Sequence, residues 1–355
     1  MLLLLPFFVH GQDSDSMKVE KRVNFAVIPI VSYNKSFGTQ LGVMANMFYD
    51  IKKDDLISPA SILGFMGSYF ANGTYFAGIF SKNYFNEDKW RTSLLVFMGN
   101  INFQTHLSFE GIDFPFFIKE PPSGVFIDYN TKFNYFEIEG ERQIFRHFYG
   151  GLRYSYTSIE TDFDSKIIPN ETSYLSGVGL VIEYDSRDFI MNPKIGLNTK
   201  FGTYSFLESL GSSKDYHNLR LVFTKYLPIN KRSLMLVHLF GVTAIGDVPF
   251  SGQNIVGGDE MRGYTDGRYR ANQAYNIQTE YRWNFYRKWG IVAFGGLGFA
   301  TDDFQGNNFS SILPSVGTGI RFLAIKSRNI NVGMDVAVGK DDWGLYFRIG
   351  EVFTH

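Results

Sequence analysis

The stretch "AYNIQTEYRWNFY", residues 274–286, reads with a period of two. Tyr275, Ile277, Thr279, Tyr281, Trp283 and Phe285 share one parity; Asn276, Gln278, Glu280, Arg282 and Asn284 share the other. Successive side chains of a strand point to opposite faces, so this alternation specifies a β-strand with one apolar, aromatic face and one polar face. The same pattern recurs. Ile330, Val332, Met334, Val336 and Val338 alternate with Asn331, Gly333, Asp335 and Ala337. Val178, Leu180 and Ile182 oppose Gly177, Gly179 and Glu183, and Leu219, Leu221 and Phe223 oppose Asn218, Arg220 and Thr224. A water-soluble sandwich hides its apolar face against a second sheet. A membrane barrel turns that face to lipid and keeps the polar face in its lumen.

Composition agrees with the barrel. The 355 residues include 36 Phe, 21 Tyr, 4 Trp and 36 Gly, while charged residues make up 19%, below the roughly 25% of soluble domains. Mean hydropathy is −0.10, too polar for a helical membrane protein but natural where every strand shows lipid only one face. Net charge is −1, which gives no electrostatic case for nucleic acid. Cysteine is absent, which excludes disulfides, thiolate catalysis, cysteine metal sites and a lipid-bearing N-terminal cysteine. The apolar run "MLLLLPFFV", residues 1–9, is shorter than the about 20 residues that span a bilayer. It reads as the core of a secretory signal over residues 1–12, with a truncated start because no basic segment precedes it. Residues 13–23 then form a short periplasmic segment, and 24–355 the barrel.

The alternation divides the chain into sixteen segments: 25–33, 38–50, 60–70, 74–82, 90–100, 131–143, 147–159, 173–184, 196–206, 217–227, 233–245, 274–286, 290–300, 314–323, 330–338 and 343–353. An even count suits a bacterial barrel, whose surface loops are long and periplasmic turns short. The long connections, 101–130, 246–273, 160–172 and 301–313, all fall on the surface side. The short ones near 145–147, 228–230 and 287–288 fall on the other, and 185–195 is a longer turn on that same periplasmic side.

No motif for chemistry stands out. No histidine sits in HExxH and no serine in GxSxG. His106, in a surface-loop region, reads as a loop histidine. The acidic runs "DSDS" and "DDF" lack an EF-hand spacing and read as solvated charge. No catalytic residue, metal or cofactor is assigned. The loop "VGGDEMRGY", residues 256–264, poses the sharper question. Gly257, Gly258 and Gly263 permit tight turns, and Arg262 precedes Glu280, which has lumen-facing parity. Arg262 is either an exposed surface arginine or, if the loop folds back into the barrel, a bidentate partner for that carboxylate. Other inward polar residues are Arg153, Glu183, Arg220, Asn276, Gln278, Arg282 and Arg321.

"VGGDEMRGY" followed by "NIQTEYRW" resembles the loop signature and following strand of the BamA/TamA superfamily of outer-membrane assembly and secretion barrels, the bacterial surface antigen family. "GLVIEYDSRDFIMNPKIG", residues 179–196, resembles that family's D-x-R-D…P-x-x-G turn. "VAFGGLGFATDD" resembles its next strand motif, and "NINVGMDVAVGKDDWGLYFRIGEVF", residues 329–353, its C-terminal strand pair. The resemblance runs from about residue 25 to 353. It implies a 16-stranded antiparallel barrel with a long surface loop folded into the lumen. Arg262, with Gly257, Gly258, Gly263 and Tyr264, would lock that loop, and Glu280 would be the acidic partner. A second acid of the family pattern is replaced by Gly296, and inward-facing Asp335 is the candidate substitute. Asp185, Arg187, Asp188, Pro193 and Gly196 would form the periplasmic turn, and Tyr346, Phe347, Ile349 and Phe353 the C-terminal insertion signal. The family's weak seam would lie between 25–33 and 343–353, where Gly344 and Gly350 weaken the last strand.

The resemblance further implies outer-membrane protein assembly or translocation in a Gram-negative bacterium, without enzymatic activity. The short N-terminal segment points to the branch lacking POTRA domains. A periplasmic or outer-membrane protein partner would then supply client recognition, with lipids and lipopolysaccharide around the barrel and an unfolded or secreted protein as client. The alternatives are a passive pore or a structural subunit of a larger complex, and a lipid-modifying enzyme, disfavoured by the missing catalytic triad.

Overall fold

Alternation becomes a closed-looking wall because each strand pairs with its chain neighbour through short connections. The computed structural model describes residues 23–34, 37–108, 124–164, 169–264, 269–302, 312–340 and 342–354. The expected signal over 1–12 and the segment up to residue 22 lie outside them. The wall begins with β1 (Val23–Asn34), β2 (Gly38–Tyr49), β3 (Ser61–Phe70), β4 (Tyr75–Phe85), β5 (Trp90–Ser108) and β6 (Gly124–Phe145). It continues with β7 (Phe148–Phe163), β8 (Glu171–Asp185), β9 (Gly196–Phe206), β10 (Tyr216–Asn230) and β11 (Ser233–Gly246). Two three-residue strands, β12 (Asn254–Val256) and β13 (Tyr269–Ala271), form a separate ribbon. The wall ends with β14 (Gln273–Tyr286), β15 (Trp289–Thr301), β16 (Leu313–Ile325), β17 (Ile330–Gly339) and β18 (Asp342–Ile349). The sixteen wall strands make one antiparallel sheet in chain order.

Burial follows the sequence alternation in the membrane sense. On β14, Ile277 and Trp283 are 41% and 43% exposed, while Gln278 and Glu280 are 0% and 1%. On β17, Met334, Val336 and Val338 are outside, and Asp335 is fully buried within. The apolar face points away from the protein, which is stable only against lipid.

The interior also has apolar ground. Val222, Phe240 and Val242 cluster with Val256, Met261, Tyr264, Ala274 and Leu313. Tyr226, Leu234 and Leu236 cluster with Val352 and Phe353.

Three boundaries differ from the sequence reading. The β5–β6 ladder runs from Trp90↔Arg142 to Ser108↔Gly124, so much of the expected loop 101–130 is strand. The β7–β8 ladder likewise reaches Thr161↔Glu171. The stretch "NFQTHLS", residues 102–108, keeps the period of two, with Phe103 and Leu107 against Asn102, Gln104, His106 and Ser108, so the extension of β5 was readable from its alternation. The last strand stops at Ile349, not Phe353. There Gly350 adopts φ +91°, and Phe353 φ +61°, taking the chain out of the wall.

The two ends of the sheet are β1 and β18. They lie side by side, yet among the described residues no ladder pairing joins them. β1 carries Pro29 at its centre, and a residue without an N–H is tolerated mainly at a sheet edge. An apolar cluster of Ala26, Phe48, Ile62, Ile330 and Ile349 links the flanks of this seam.

Candidate functional site

The segment 259–264 reaches six wall strands from inside the barrel. Gly257, Gly258 and Gly263 have φ of +153°, +60° and +107°, backbone that a residue with a Cβ adopts poorly. These turns present each side chain to a different strand. Asp259 lies 3.4 Å from Arg348 on β18. Glu260 contacts Arg220 of β10 at 2.5 Å and His238 of β11 at 2.9 Å. Gly263 N–H donates to Tyr346 Oη of β18 at 2.8 Å, and Tyr264 Oη donates to the Pro314 carbonyl of β16 at 2.6 Å.

Arg262 sits at the centre with no exposed surface. Its Nη1 donates to Asp335 Oδ2 at 2.9 Å on β17. Its Nη2 lies 2.7 Å from Glu280 Oε2 on β14, an ion pair without hydrogen-bond alignment. The guanidinium stacks 3.4 Å above the Phe294 ring of β15, a desolvated cation–π contact. Gly296 makes no acidic contribution, and a Cβ there would meet Gln278 and the Ile277 carbonyl at 2.5 and 2.6 Å. The two carboxylates on Arg262 therefore come from β14 and β17.

Neither carboxylate serves Arg262 alone. Asp335 also accepts from Arg321 and lies 3.0 Å from Arg348 Nη2. Glu280 accepts from Arg282 Nε at 2.6 Å. Glu351 takes Arg321 Nε at 2.8 Å and Asn331 Nδ2 at 2.7 Å. Four buried guanidiniums thus face three buried carboxylates and the half-exposed Asp259. Buried charges are tolerable only with such pairing. Sequence parity had put Arg282 and Arg321 inward, but Arg348 and Glu351 escaped notice. Arg348 shares Tyr346's parity, the signal that was available. Glu351 had none, because it lies beyond the turn at Gly350.

The C-terminal residues occupy two environments. Tyr346 faces inward to Gly263, and Ile349 joins the seam cluster. Phe347, between Tyr346 and Arg348, has the opposite parity and is partly exposed. Phe353 is buried, stacks on His238 at 3.8 Å and lies 5.5 Å from the Arg262 guanidinium. Its carbonyl accepts from Tyr226 Oη at 2.8 Å.

The turn 186–195 is a second built element. Asp185 receives Arg187 in bidentate form, both bonds 2.8 Å, and Arg91 Nη1 at 2.9 Å. Burial works against the Arg187 charge, but the Asp185 carboxylate more than offsets it and raises its affinity for the proton. Asp188 Oδ1 accepts the N–H groups of Phe189, Lys194 and Ile195 at 2.8–3.3 Å. Pro193 is buried, and Gly196 has φ +118°. A Cβ at Gly196 would lie 2.3 Å from the Ser186 carbonyl. Asn192 contacts Asn329 at 3.2 Å, and Met191 O accepts Glu351 N–H at 3.2 Å. The turn therefore crosses to the β16–β17 connection and the residues after β18. Sequence reading missed Arg91 and Asp88, which extend this cluster through Tyr149.

Residues 60–353 match the Omp85 superfamily domain. No curated protein matches the chain. Among solved structures, it is similar to BamA from Haemophilus ducreyi lacking POTRA domains 1–3, at 12% identity and a TM-score of 0.57, covering 92% of this chain and 70% of that one. CdiB from Acinetobacter baumannii gives 13%, 0.62, 93% and 60%. CdiB from Escherichia coli gives 10%, 0.63, 94% and 63%. At these identities the likeness is one of fold.

Proposed function

The chain belongs to the Omp85 superfamily, and from that premise we propose that it is a Gram-negative outer-membrane barrel that assembles or translocates proteins through the seam between β1 and β18. The observation that carries this reading is the seam itself: the sheet's two ends are adjacent without a ladder. A free strand edge offers unpaired N–H and C=O groups, a template on which a client strand can add. Pro29 on β1 favours an edge that opens; the flanks are joined by the apolar cluster around Ala26 and Ile349 and by Arg328, which donates to Asn24 and Asp50. Segment 259–264 acts as a brace, tying β10, β11, β14, β16, β17 and β18 together through Arg262 and its neighbours. Motion is thereby left to the seam. The partners are the surrounding lipids, an unfolded or secreted client, and a periplasmic or outer-membrane protein that delivers it.

The chain has no cysteine, so a pair at Ala26→Cys and Ile349→Cys across the seam tests this cleanly. Oxidation should block client insertion and reduction should restore it. Depletion should lower the levels of other outer-membrane proteins or surface lipoproteins; unchanged levels would sink the proposal. The passive-pore reading predicts large, steady conductance in planar bilayers. The filling of the interior by the Arg262 network and Phe353 argues for small or absent conductance.

A further inference from the structure

The periplasmic end of the barrel is unevenly charged. Three adjacent connections, β10–β11 at 231–232, β14–β15 at 287–288 and β16–β17 at 326–329, contain Lys231, Arg232, Arg287, Lys288, Lys326 and Arg328 and no acid. Arg328 is committed to Asp50 by two bonds of 2.8 Å; the other five cations stand exposed. At the opposite end of the wall, the β9–β10 connection carries Glu208 and Asp215 against Lys214. The whole chain is at −1, so the basic excess is local. Backbone bonds hold the three connections side by side: Asn284 N–H donates to the Arg232 carbonyl and Leu323 N–H to the Lys288 carbonyl, each at 2.8 Å.

These cations border the lipid-facing side of the wall. Trp283, Trp289 and Phe322 stand on the outward parity near the same strand ends, and Tyr286 pairs with Trp289 across the β14–β15 hairpin. Trp289 and Phe322 pack at 4.9 Å. Lys288 Nζ lies 5.8 Å from the centre of the Phe322 ring, and the Arg287 guanidinium 5.2 Å from that of Tyr286. Outward aromatic rings of this kind mark the boundary between bilayer and water. A two-residue turn cannot carry its side chains far from that boundary, so these charges fall at the depth of the headgroups. Lys225 on β10 is an independent sign. It alternates with the buried Thr224 and Tyr226 and shares the parity of the outward Leu221 and Leu227. Among the described residues it has no hydrogen-bond or ion-pair partner. A lysine on a lipid-facing parity is tolerated when its stem runs along the apolar surface and its ammonium reaches the interface.

We propose that this arc binds anionic phospholipid of the periplasmic leaflet, with headgroup phosphates against Lys231, Arg232, Arg287, Lys288 and Lys326 and with Lys225 reaching them from the lipid face. Clustered cations beside a bilayer attract anionic lipid, each adding to the affinity. The proposal rests on the reading of the chain as an outer-membrane barrel, but not on its seam or its client. A soluble acidic protein meets the turns but not Lys225, which faces acyl chains. The contact holds the strands braced by Arg262 at a fixed depth in that leaflet.

The test uses the full barrel inserted into phosphatidylcholine vesicles, with Trp90→Phe and Trp343→Phe so that Trp283 and Trp289, at the arc, are the remaining tryptophans. The probes are phosphatidylglycerol and phosphatidylcholine brominated on their acyl chains, which quench the tryptophans they touch. Brominated phosphatidylglycerol should bind about fivefold more tightly than brominated phosphatidylcholine, the contribution of roughly one interfacial cation, and the preference should shrink at high salt. Lys231→Gln, Arg232→Gln, Arg287→Gln and Lys288→Gln together should abolish it, and Lys225→Met alone should lower it. Lys214→Gln, at the other end of the barrel, should leave it intact. The proposal is overturned if both lipids quench the parent equally, or if the quadruple variant keeps the preference. Equal quenching, together with polyglutamate retained at low salt by the parent and not by the quadruple variant, would assign the arc to an acidic protein instead. Quenching by neither lipid would show the chain outside the bilayer, and the membrane reading would fail with the proposal.

Discussion

Asp335→Asn should be a more damaging change than Arg262→Ala, although the arginine is the more conspicuous residue. Asp335 meets three guanidiniums: Arg262 at 2.9 Å, Arg348 at 3.0 Å, and Arg321. Replacing it with an amide leaves four buried cations facing Glu280, Glu351 and the half-exposed Asp259. Breaking a buried pair from one side costs about 3–5 kcal/mol, and this substitution takes one carboxylate from three cations at once, so the upper end, about 5 kcal/mol, applies. Arg262→Ala instead leaves Arg282, Arg321 and Arg348 matched by Glu280, Asp335 and Glu351. Glu280 keeps Arg282 at 2.6 Å, and Asp335 keeps Arg321. The losses are the Phe294 stack and a cavity, about 3 kcal/mol in all. If these costs appear mainly in unfolding, its rate in urea rises roughly a hundredfold for Arg262→Ala and over a thousandfold for Asp335→Asn. The assay is the time course of losing the compact band on unheated detergent gels. Adding Arg348→Gln to Asp335→Asn should recover part of the loss by removing one surplus cation. If Asp335→Asn unfolds no faster than Arg262→Ala, charge balance does not govern this interior.

Gly196→Ala forces a Cβ against the Ser186 carbonyl at φ +118°; it should cost about 2–3 kcal/mol, seen as a lower urea midpoint, and an unchanged midpoint would contradict the turn geometry. Asp188→Ala releases three N–H groups, so trypsin should cut after Lys194 several times faster while the barrel stays folded; equal cleavage rates would refute its role in the turn. At Asp55, slight desolvation opposes ionisation, but Ser58 Oγ and the N–H groups of Ser58, Glu87 and Ile57 hold the carboxyl well below the usual range. A depressed carboxyl stabilises above its unfolded pKa, about 4, and that contribution fades as pH falls toward the folded value. Protection factors for amide exchange over residues 50–60, corrected for the intrinsic rate at each pH, should therefore fall on acidification in the parent but not in Asp55→Asn.

The wall was legible because lipid demands strict alternation: the sequence bounds for β9 coincide with Gly196–Phe206, and β14 differs by one residue. Legibility fails where lipid stops imposing that rule. Residues 101–108 continue β5 with Ile101, Phe103 and Leu107 on one parity, so that extension was there to be read, whereas β12 and β13 are too short to show a period. The end of β18 failed differently. "RIGEVF" keeps an acceptable pattern past Ile349, and only the φ of Gly350 reveals the departure. Within the network, Glu280 and Asp335 were readable by parity. Their simultaneous contact with Arg262 was not, because β14 and β17 lie three strands apart in the wall and only the three-dimensional path of 259–264 joins them.

The burial of Phe353 imposes an order of events. Its partners Tyr226 and His238 precede it by more than a hundred residues, so the contact closes one of the longer loops of chain. Until Phe353 docks, the interior lacks one join, since Val352, Phe353 and Glu351 tie β10, β11 and β14 to β16 from within. The barrel is therefore a vessel tied from inside by residues that lie past the end of β18. Contacts spanning so much chain form slowly, so this join forms late, after the more local pairings of the wall.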